Sequence, residues 1–532
     1  MSEKRIIEIT AGRKEICISI DEMADGNNEK DVRCTVRAEL PFGLKQLAEF
    51  SDLAVAGGII TIPRFVEETD LLTACFAVST DGGTVVPGFS YVTKMEGIAR
   101  NNEMYPVFDN PKTLSECGDD YVNLGISQTV ININILAIMA VETAKPVIPF
   151  ELNGRTFLFL KSATDELDGF FGRMKKLGIT VTAILLNAPK LFDSTGEEAL
   201  LSKCVHPDYD AEYPHAFISA FSAKTIEGQI YYQAFVEFLA SRYSAGDDGL
   251  SSLRGMIVSN EVDSQYIWGN AGRKTPEAYM EEYTEVLRLT MQSARKYYAN
   301  MRVYISLDHM FNRTFDATEP LCFYKGRQVL ELLNQYATES GNFDWSVAYH
   351  SYPEDLRYPD FYNDRTAEFN FSTPRITFKN IEMLPAYLSQ DRFLYRGKKR
   401  RIILSEQGFN SREDDLSERQ GAAAYCLAYE KVRKLPDIDM MMHHAYADNF
   451  AEFGLHLGIR KRNPDGSLGE ARPIYYVMKD MGTERERSRV NDARDFIGAE
   501  LFDSILSPVI LMGDDPLADN MQFQDNADGD EQ

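Results

Sequence analysis

The N-terminal part of the chain alternates apolar and polar positions in short runs. Apolar side chains at Ile16, Ile18 and Ile20 are separated by polar ones, and the same period of two recurs between Cys34 and Leu40. This alternation is typical of β-strands that place one face on a core, and turn-forming residues separate the runs. We therefore predict a β-sandwich-like domain over residues 1–112, which packs against the flank of the next domain or, as an alternative, binds sugar.

From Cys117 onward the pattern changes to apolar strands that are followed by loops and amphipathic helices. The predicted strands are Thr129–Asn134, Thr180–Leu186, Ala216–Phe221, Gly255–Asn260, Arg302–Leu307, Ser346–His350, Arg401–Ser405 and Met440–His444. The predicted helices are Asp165–Leu177, Gly228–Tyr243, Pro276–Tyr298, Gly326–Tyr336, Thr377–Leu394 and Arg419–Leu435. This alternation indicates a (β/α)8 TIM barrel over residues 113–482. A doubly wound sheet is less favoured, because no G-x-G-x-x-G follows the first strand.

Two further segments have distinct patterns. Asn153-Gly154 lies between two apolar runs in Pro146–Leu160, which predicts a β-hairpin inserted after the first barrel strand. Beyond the barrel we predict a C-terminal extension over residues 483–512. Residues 513–532 contain six Asp, one Glu and no Lys or Arg, a composition that predicts an acidic, disordered tail.

Charge and cysteine content exclude several classes of function. The net charge of −25 argues against nucleic acid and anionic membranes, because binding to phosphate needs clustered Lys and Arg. The seven cysteines are scattered and never form C-x-x-C, so neither a disulfide framework nor a zinc knuckle is expected. The N-terminal residues lack an apolar signal-peptide core and no apolar run reaches transmembrane length, so we expect a cytoplasmic protein.

Two glutamates follow apolar strands at positions where a barrel places its chemistry. The fourth predicted strand ends in Asn260-Glu261, and the seventh is followed by Glu406. The carboxyl ends of all eight strands open on one face of a barrel, and strands four and seven lie on opposite sides of the ring. Two carboxyl groups about 5–5.5 Å apart are what retaining glycoside hydrolysis requires. The pattern therefore predicts a pair of catalytic glutamates.

These strand ends resemble those of the clan A retaining glycoside hydrolases. The resemblance implies that Glu261 is the general acid/base, that Asn260 contacts the 2-hydroxyl of the sugar and that Glu406 is the nucleophile. The sixth strand continues into His350-Ser-Tyr352, which resembles the H-x-Y segment whose imidazole or aromatic group contacts the nucleophile in the clan.

The eighth strand departs from the pattern of the clan. Many members place a Trp at its end as a platform for the sugar, whereas this chain has His444 and Tyr446 there. The resemblance thus implies that one of these two residues takes the place of the Trp in contacting the substrate.

Four other residues are candidates for binding substrate. Trp268, shortly after the acid/base strand, could stack on a sugar or anchor its loop. Asp308 and His309 end the fifth strand and Asn134 ends the first, each with a structural hydrogen-bond role as the alternative. The histidines near the strand ends lack metal-ligand spacing, so neither a metal nor a cofactor is expected.

The sequence thus predicts a retaining glycosidase that cleaves β-linked oligosaccharides by double displacement. Neutral sugars are expected, because the acidic chain would repel acidic polysaccharides unless the site is locally basic. A transglycosylase with the same two glutamates and a non-catalytic carbohydrate-binding barrel are the alternatives. No oligomeric state is predicted.

Overall fold

The computed structural model describes residues 5–21, 33–80, 82–190, 198–246 and 249–508. The predicted acidic tail, residues 513–532, and the last residues of the predicted extension lie outside this described part of the chain.

The N-terminal region contains two four-stranded sheets. Its strands are β1 (Ile6–Ala11), β2 (Glu15–Ile20), β3 (Arg33–Glu39), β4 (Gln46–Ala54), β5 (Ile59–Pro63), β6 (Phe65–Val66), β7 (Thr69–Asp70), β8 (Cys75–Thr80), β9 (Val85–Val86) and β10 (Lys94–Met95). One sheet has the order β10-β1-β2-β5 and the other β4-β3-β8-β9. Alternate side chains of both sheets, among them Ile16, Ile18 and Val36, share one buried core. The alternation of apolar and polar residues in the sequence arises because only one face of each sheet is buried.

The central region is a closed barrel. Its strands, with those of the inserted hairpin and a C-terminal ribbon, are β11 (Lys112–Leu114), β12 (Gln128–Asn134), β13 (Met139–Ala140), β14 (Val147–Leu152), β15 (Arg155–Leu160), β16 (Thr180–Leu186), β17 (Leu253–Val258), β18 (Arg302–Leu307), β19 (Trp345–Tyr349), β20 (Ile402–Leu404), β21 (Ile438–His443), β22 (Arg460–Arg462) and β23 (Leu468–Ala471). The barrel order is β11-β12-β16-β17-β18-β19-β20-β21, every pairing is parallel, and β21 pairs with β11. The predicted TIM barrel with additional N-terminal β-sheets is therefore confirmed.

Helices follow most of the barrel strands. They are α1 (Asp120–Asn123), α2 (Ile135–Ile138), α3 (Lys161–Leu177), α4 (Glu198–Cys204), α5 (Ile226–Tyr243), α6 (Gln265–Trp268), α7 (Pro276–Arg295), α8 (Gly326–Ser340), α9 (Met383–Leu388), α10 (Asp415–Val432), α11 (Pro473–Asp480), α12 (Glu486–Ile497) and α13 (Ala499–Leu506). Side-chain oxygens of Thr225, Thr275 and Asp414 cap the first turns of α5, α7 and α10. These caps fix where three of the loops on the carboxyl face end. Among the described residues, no helix is long and apolar enough to cross a lipid bilayer.

One predicted strand is wrong and one real strand was missed. Ala216–Phe221 is apolar but lies in the loop between β16 and α5, where Phe221 and Ser219 form only isolated bridges to Val205 and Asn270. The first barrel strand is instead β11, whose three residues, Lys-Thr-Leu, do not form an apolar run. The two errors cancel, so strands four to eight keep their predicted numbers.

Two other predictions need correction in detail. The hairpin β14–β15 exists, with Asn153 and Gly154 at φ values of 51° and 73° in its turn, but it follows the second barrel strand. The predicted helix Thr377–Leu394 is divided into α9 and two short 3₁₀ turns. Pro385 explains the late start of α9, because proline lacks an N–H and is tolerated only in the first helical turn.

The interior of the barrel is filled by side chains and is not a channel. The barrel strands contribute to this core Val130, Ile184, Leu186, Ile257, Tyr304, Ala348, Ile403, Met440 and Met442. Such layers form the floor beneath the carboxyl face of a TIM barrel. The polar residues at the strand ends therefore rest on a packed base.

We expect Gly255→Ala to destabilise the barrel. A Cβ atom at Gly255 would lie 2.8 Å from Thr182 Oγ1 and 3.0 Å from Tyr304 Cε2. Overpacking of this kind costs about 1–3 kcal/mol, so thermal unfolding should occur at a lower temperature than in the wild type.

Gly169→Ala is the matched control. Gly169 lies inside α3, and a Cβ there would meet no atom within 4 Å. This change should stabilise the helix by up to about 1 kcal/mol. Equal melting temperatures for Gly255→Ala and the wild type would contradict the described interior packing.

Candidate active site

The chain turns sharply where the fourth strand ends. After Val258 the backbone of Ser259 and Glu261 adopts positive φ values of 65° and 34°, a conformation that is uncommon for residues with a side chain. The backbone N–H of Glu261 donates to Ser306 Oγ at 3.1 Å, and Ser259 Oγ donates to the carbonyl oxygen of Trp268 at 3.0 Å. Strained residues of this kind cluster at functional sites. Here the turn places the Glu261 side chain against His350, at the end of the sixth strand.

Glu261 is bonded to an imidazole. The Nδ1 atom of His350, directly after β19, lies 2.7 Å from Glu261 Oε1. Burial and the charge of Asp308 raise the pKa of Glu261 to about 7, against the opposing effect of His350. Burial lowers the pKa of His350, but the charges of Glu406 and Glu261 outweigh it and raise that pKa to about 9. Near neutral pH the imidazole is therefore cationic while Glu261 takes up and releases its proton.

Glu406 follows the seventh strand and receives a different hydrogen bond. The hydroxyl of Tyr352 donates to Glu406 Oε1 at 3.1 Å. Burial and the charge of Glu406 raise the pKa of Tyr352 well above its usual value, so the phenol remains a donor. The next residue, Gln407, bonds through its side-chain amide to the carbonyl oxygen of Met442 and through its own carbonyl to His444 N. Glu406 is thus fixed from the strands on both sides.

A second carboxylate and a second imidazole end the fifth strand. Asp308 Oδ1 lies 2.7 Å from His309 Nδ1, although the two are not aligned for a hydrogen bond. Burial acts to raise the pKa of Asp308, but His309 outweighs it and lowers that pKa. Asp308 is therefore the ionised group whose charge acts on Glu261.

Asp263 was not predicted, although it lies in the same segment as Glu261. Its Oδ1 accepts the backbone N–H of Asp308 at 3.0 Å, and its Oδ2 has no hydrogen-bond partner among the described residues. Burial and the charge of Asp308 raise the pKa of Asp263 well above its usual value. Asp263 is thus an acid whose proton is retained, in contact with the backbone of Asp308. The Glu-Val-Asp sequence could have suggested it, but only the contact with Asp308 reveals its position.

The eighth strand brings His444, but not Tyr446, into the field of Glu406. His444 Nε2 lies 3.2 Å from Glu452 Oε1. Burial lowers the pKa of His444, whereas Glu452 and the charge of Glu406 raise it, and the net shift is upward. The hydroxyl of Tyr446 donates instead to Asp120 at 2.8 Å. The partner of His444, Glu452, was missed because it lies in a polar loop with no apolar run to locate it.

The remaining candidates differ in how far they are already engaged. Asn134 caps α2 through the N–H of Leu136 and exchanges two hydrogen bonds with the backbone of Ala188. These contacts correspond to a structural hydrogen-bond role, the alternative to binding substrate. Asn260 forms no side-chain hydrogen bond within the described part of the chain and lies beside Glu261. Trp268 packs against the interior core of the barrel while part of its surface stays exposed. In the ranges that the structure describes, no three His, Cys, Asp or Glu side chains are placed to hold a metal ion.

Comparison with known proteins gives a family and several similar folds. Residues 112–505 match the model of a family of unknown function, DUF5722. Among curated proteins, none matches the chain in sequence.

The structural neighbours are glycoside hydrolases. A family 39 glycoside hydrolase from the gut symbiont Bacteroides cellulosilyticus WH2 has 12% identity and a TM-score of 0.43, with 91% of this chain and 83% of that chain covered. A hyperthermophilic β-glucosidase from Pyrococcus furiosus has 13% identity and a TM-score of 0.45, with 71% and 85% covered. A β-glucosidase from Thermotoga maritima, in complex with deoxynojirimycin, has 11% identity and a TM-score of 0.41, with 70% and 85% covered. Each of these three likenesses has an identity of 13% or less and a TM-score of 0.45 or less.

We expect Asp308→Asn to lower the pKa of Glu261 below its wild-type value of about 7. The reason is that the negative charge of Asp308 opposes the ionisation of its neighbour. The measurement is an infrared titration of the carboxyl band that is absent from Glu261→Gln.

Asp316→Asn is the control for that titration. Asp316 lies in the same loop but bonds to Thr318, so its removal should leave the band unchanged. A Glu261 band that titrates at the same pH in Asp308→Asn and the wild type would refute the electrostatic link between the two carboxyl groups.

Proposed function

The chain belongs to the family of unknown function DUF5722, and we propose that it is a retaining glycoside hydrolase acting on β-linked oligosaccharides. In this proposal Glu261 is the general acid/base and Glu406 is the nucleophile. Asn260, His350 and Tyr352 position these groups or the sugar between them.

One observation carries the proposal: two glutamates at the ends of the fourth and seventh strands occupy unequal surroundings. Glu261 is partly buried, bonded to His350, and has a pKa raised to about 7. Glu406 instead accepts a hydrogen bond from the O–H of Tyr352. Two carboxyl groups whose environments differ in this way are suited to separate roles as acid and nucleophile.

The first step would form a glycosyl-enzyme intermediate. A carboxylate oxygen of Glu406 attacks the anomeric carbon, the bond to the glycosidic oxygen breaks, and the proton of Glu261 moves to that oxygen. This leaves Glu261 as a carboxylate 2.7 Å from the His350 imidazolium. The charge of His350 therefore stabilises the form of Glu261 that the first step produces.

The second step would reverse these roles. Glu261 takes a proton from a water molecule, whose oxygen attacks the anomeric carbon and releases Glu406 as a carboxylate. The sugar leaves with retained configuration and Glu261 is again protonated. The two carboxyl groups supply the acid, the base and the nucleophile, so the proposed reaction needs no cofactor. The net charge of −25 favours neutral sugars as substrates.

We expect Glu261→Ala and Glu406→Ala each to lose at least a factor of about 10²–10⁴ in turnover of aryl β-glycosides. Azide should restore turnover to Glu261→Ala and give a β-glycosyl azide, because the small anion replaces water without needing a base. Glu406→Ala should give the α-glycosyl azide, because azide then occupies the space of the missing carboxylate and attacks the anomeric carbon from that face. Product configuration is read by nuclear magnetic resonance.

Glu166→Ala is the control for this experiment, since Glu166 is exposed on α3. Unchanged activity in either active-site variant would remove that residue from its proposed role. A wild-type chain that binds oligosaccharides and cleaves none of a broad panel would point to the carbohydrate-binding alternative.

The pH dependence of kcat/KM should show a basic limb near pH 7. The first step requires protonated Glu261, so activity is present below its pKa of about 7 and lost as the pH rises through it. In His350→Ala the limb should move to higher pH, because the imidazole favours the ionised carboxylate. His456→Ala, at a partly exposed histidine of another loop, should keep the wild-type profile. A limb that moves to lower pH in His350→Ala would contradict the assignment.

A further inference from the structure

Three aromatic side chains from three loops form a row at the carboxyl face of the barrel. Phe217 lies in the loop before α5, Trp268 ends α6, and Phe453 lies in the loop after β21. The ring centroids of Phe217 and Trp268 are 5.2 Å apart, and those of Phe217 and Phe453 are 6.2 Å apart. We call these three residues the aromatic row.

The inner end of the aromatic row is fixed to the turn that carries Glu261. Phe217 and Trp268 pack against the interior core of the barrel. The carbonyl oxygen of Trp268 accepts the hydroxyl of Ser259 at 3.0 Å, and Phe217 N donates to Ile267 O at 3.0 Å. The two inner rings therefore hold a fixed position relative to the backbone next to Glu261.

The outer end is held in place although it is exposed. Phe453 is 74% exposed, and the preceding residue, Glu452, accepts from Asn449 Nδ2 at 3.0 Å and lies 3.2 Å from His444 Nε2. Leu455 N donates to Glu452 O at 2.8 Å. Both carboxylate oxygens of Glu452 are thus engaged, which fixes the turn that presents the Phe453 ring.

Packing explains the inner rings but not the outer one. An apolar ring that remains in water gains free energy only when something covers it, at roughly 25 cal/mol for each Å² removed from water. The loop after the eighth strand reaches across to the loops that follow the third and fourth strands, and it ends in this uncovered ring. An occupant that lies along the row would cover Phe453 at one end and contact Trp268, next to the turn that carries Glu261, at the other.

We propose that the aromatic row binds the leaving group of the substrate through a flat apolar face. This inference rests on the proposed function, in which Glu261 gives its proton to the glycosidic oxygen. The leaving group then lies on the Glu261 side of the broken bond, and the row begins at Trp268, whose carbonyl oxygen is bonded to the turn that carries Glu261. The C–H face of a sugar ring and the face of an aryl group share the required chemistry, because both stack on aromatic rings.

The test compares three substrates of the same glycone in Phe453→Ala. These are the β-glycosyl fluoride, whose leaving group is too small to reach the row, the 4-nitrophenyl β-glycoside and the β-1,4-linked disaccharide. We expect kcat/KM to fall about tenfold for one or both larger substrates and to stay unchanged for the fluoride. A loss for the disaccharide alone identifies a sugar as the occupant, and a loss for the aryl glycoside alone identifies an aromatic aglycone.

Phe450→Ala is the matched control. Phe450 lies in the same loop, is 66% exposed and stacks on no ring among the described residues, so its removal should change none of the three values. Equal losses on all three substrates in Phe453→Ala, or no loss on any, would overturn the proposal.

A binding measurement separates failure of the aromatic row from failure of the proposed reaction. The chain has two tryptophans, and Trp345 is fully buried, so a ligand on the row should change the emission of Trp268. We expect saturable quenching when Glu406→Ala is titrated with β-1,4-linked disaccharides of glucose, galactose, mannose and xylose. In the double variant with Glu406→Ala and Phe453→Ala, the apparent affinity should be about tenfold weaker. In the double variant with Glu406→Ala and Trp268→Phe, the fluorescence signal should vanish.

Each outcome of the titration is decisive. A signal that survives Trp268→Phe, or no signal with any of the four disaccharides, overturns the aromatic row as a sugar site. If the fluorescence of Trp268 responds to a disaccharide but the wild-type chain hydrolyses no substrate, the aromatic row is supported as a binding site and the proposed reaction is refuted.

Discussion

Hydrogen bonds between β11 and β21 close the eight-stranded ring, and the position of every candidate site residue depends on that closure. The pairing joins Lys112 to Met441 and Leu114 to His443. Lys112 is itself buried, with Nζ bonded to the carbonyl oxygens of Met478 and Met481 in and after α11, and burial lowers its pKa to about 8. A short first strand is thus anchored by the last barrel helix. Because the ring is closed, strands four and seven lie across it and present their terminal residues to the same space.

Around that space several energetically unfavourable features occur close together. Ser259 and Glu261 have left-handed backbones, and Asp263 Oδ2 and both ring nitrogens of His309 lack hydrogen-bond partners in the described part of the chain. An unpartnered buried polar group costs about 1–3 kcal/mol, and a strained backbone residue costs a similar amount. Such a concentration of unfavourable features in one small region is expected of a functional site, which the rest of the fold must stabilise. The electrostatic consequence is local: burial and the charge of Asp308 raise the pKa of Glu261, and the pKa of His350 is lowered by burial but raised overall by the charges of Glu406 and Glu261.

The sequence predicts those strands and candidate site residues that leave a local pattern, and it does not reveal those defined only by contacts between distant segments. Strands such as β16 and β17 are buried on both faces, so each appears as an apolar run whose polar end marks the barrel mouth. Glu261 and Glu406 were predicted by that rule. Ala216–Phe221 satisfied the same rule because a buried loop is also apolar, and β11 failed it because three residues are too few to show a pattern. Asp263 and Phe453 could not be predicted, because each contacts a loop that lies far away in the sequence. Glu452 could not be predicted either, because its loop has no apolar run to locate it.

The loop after the eighth strand joins the two sides of the candidate site. Glu452 bonds to His444, which lies in the field of Glu406, while the adjacent Phe453 reaches Phe217 and through it Trp268. Neighbouring residues in an extended or turning backbone project in different directions, so one short segment can contact both sides without a rearrangement. Trp268 is in turn linked to Ser259 and hence to the turn that carries Glu261. The barrel sets the two glutamates across from each other, and this single loop connects the surroundings of one to those of the other over the top of the ring.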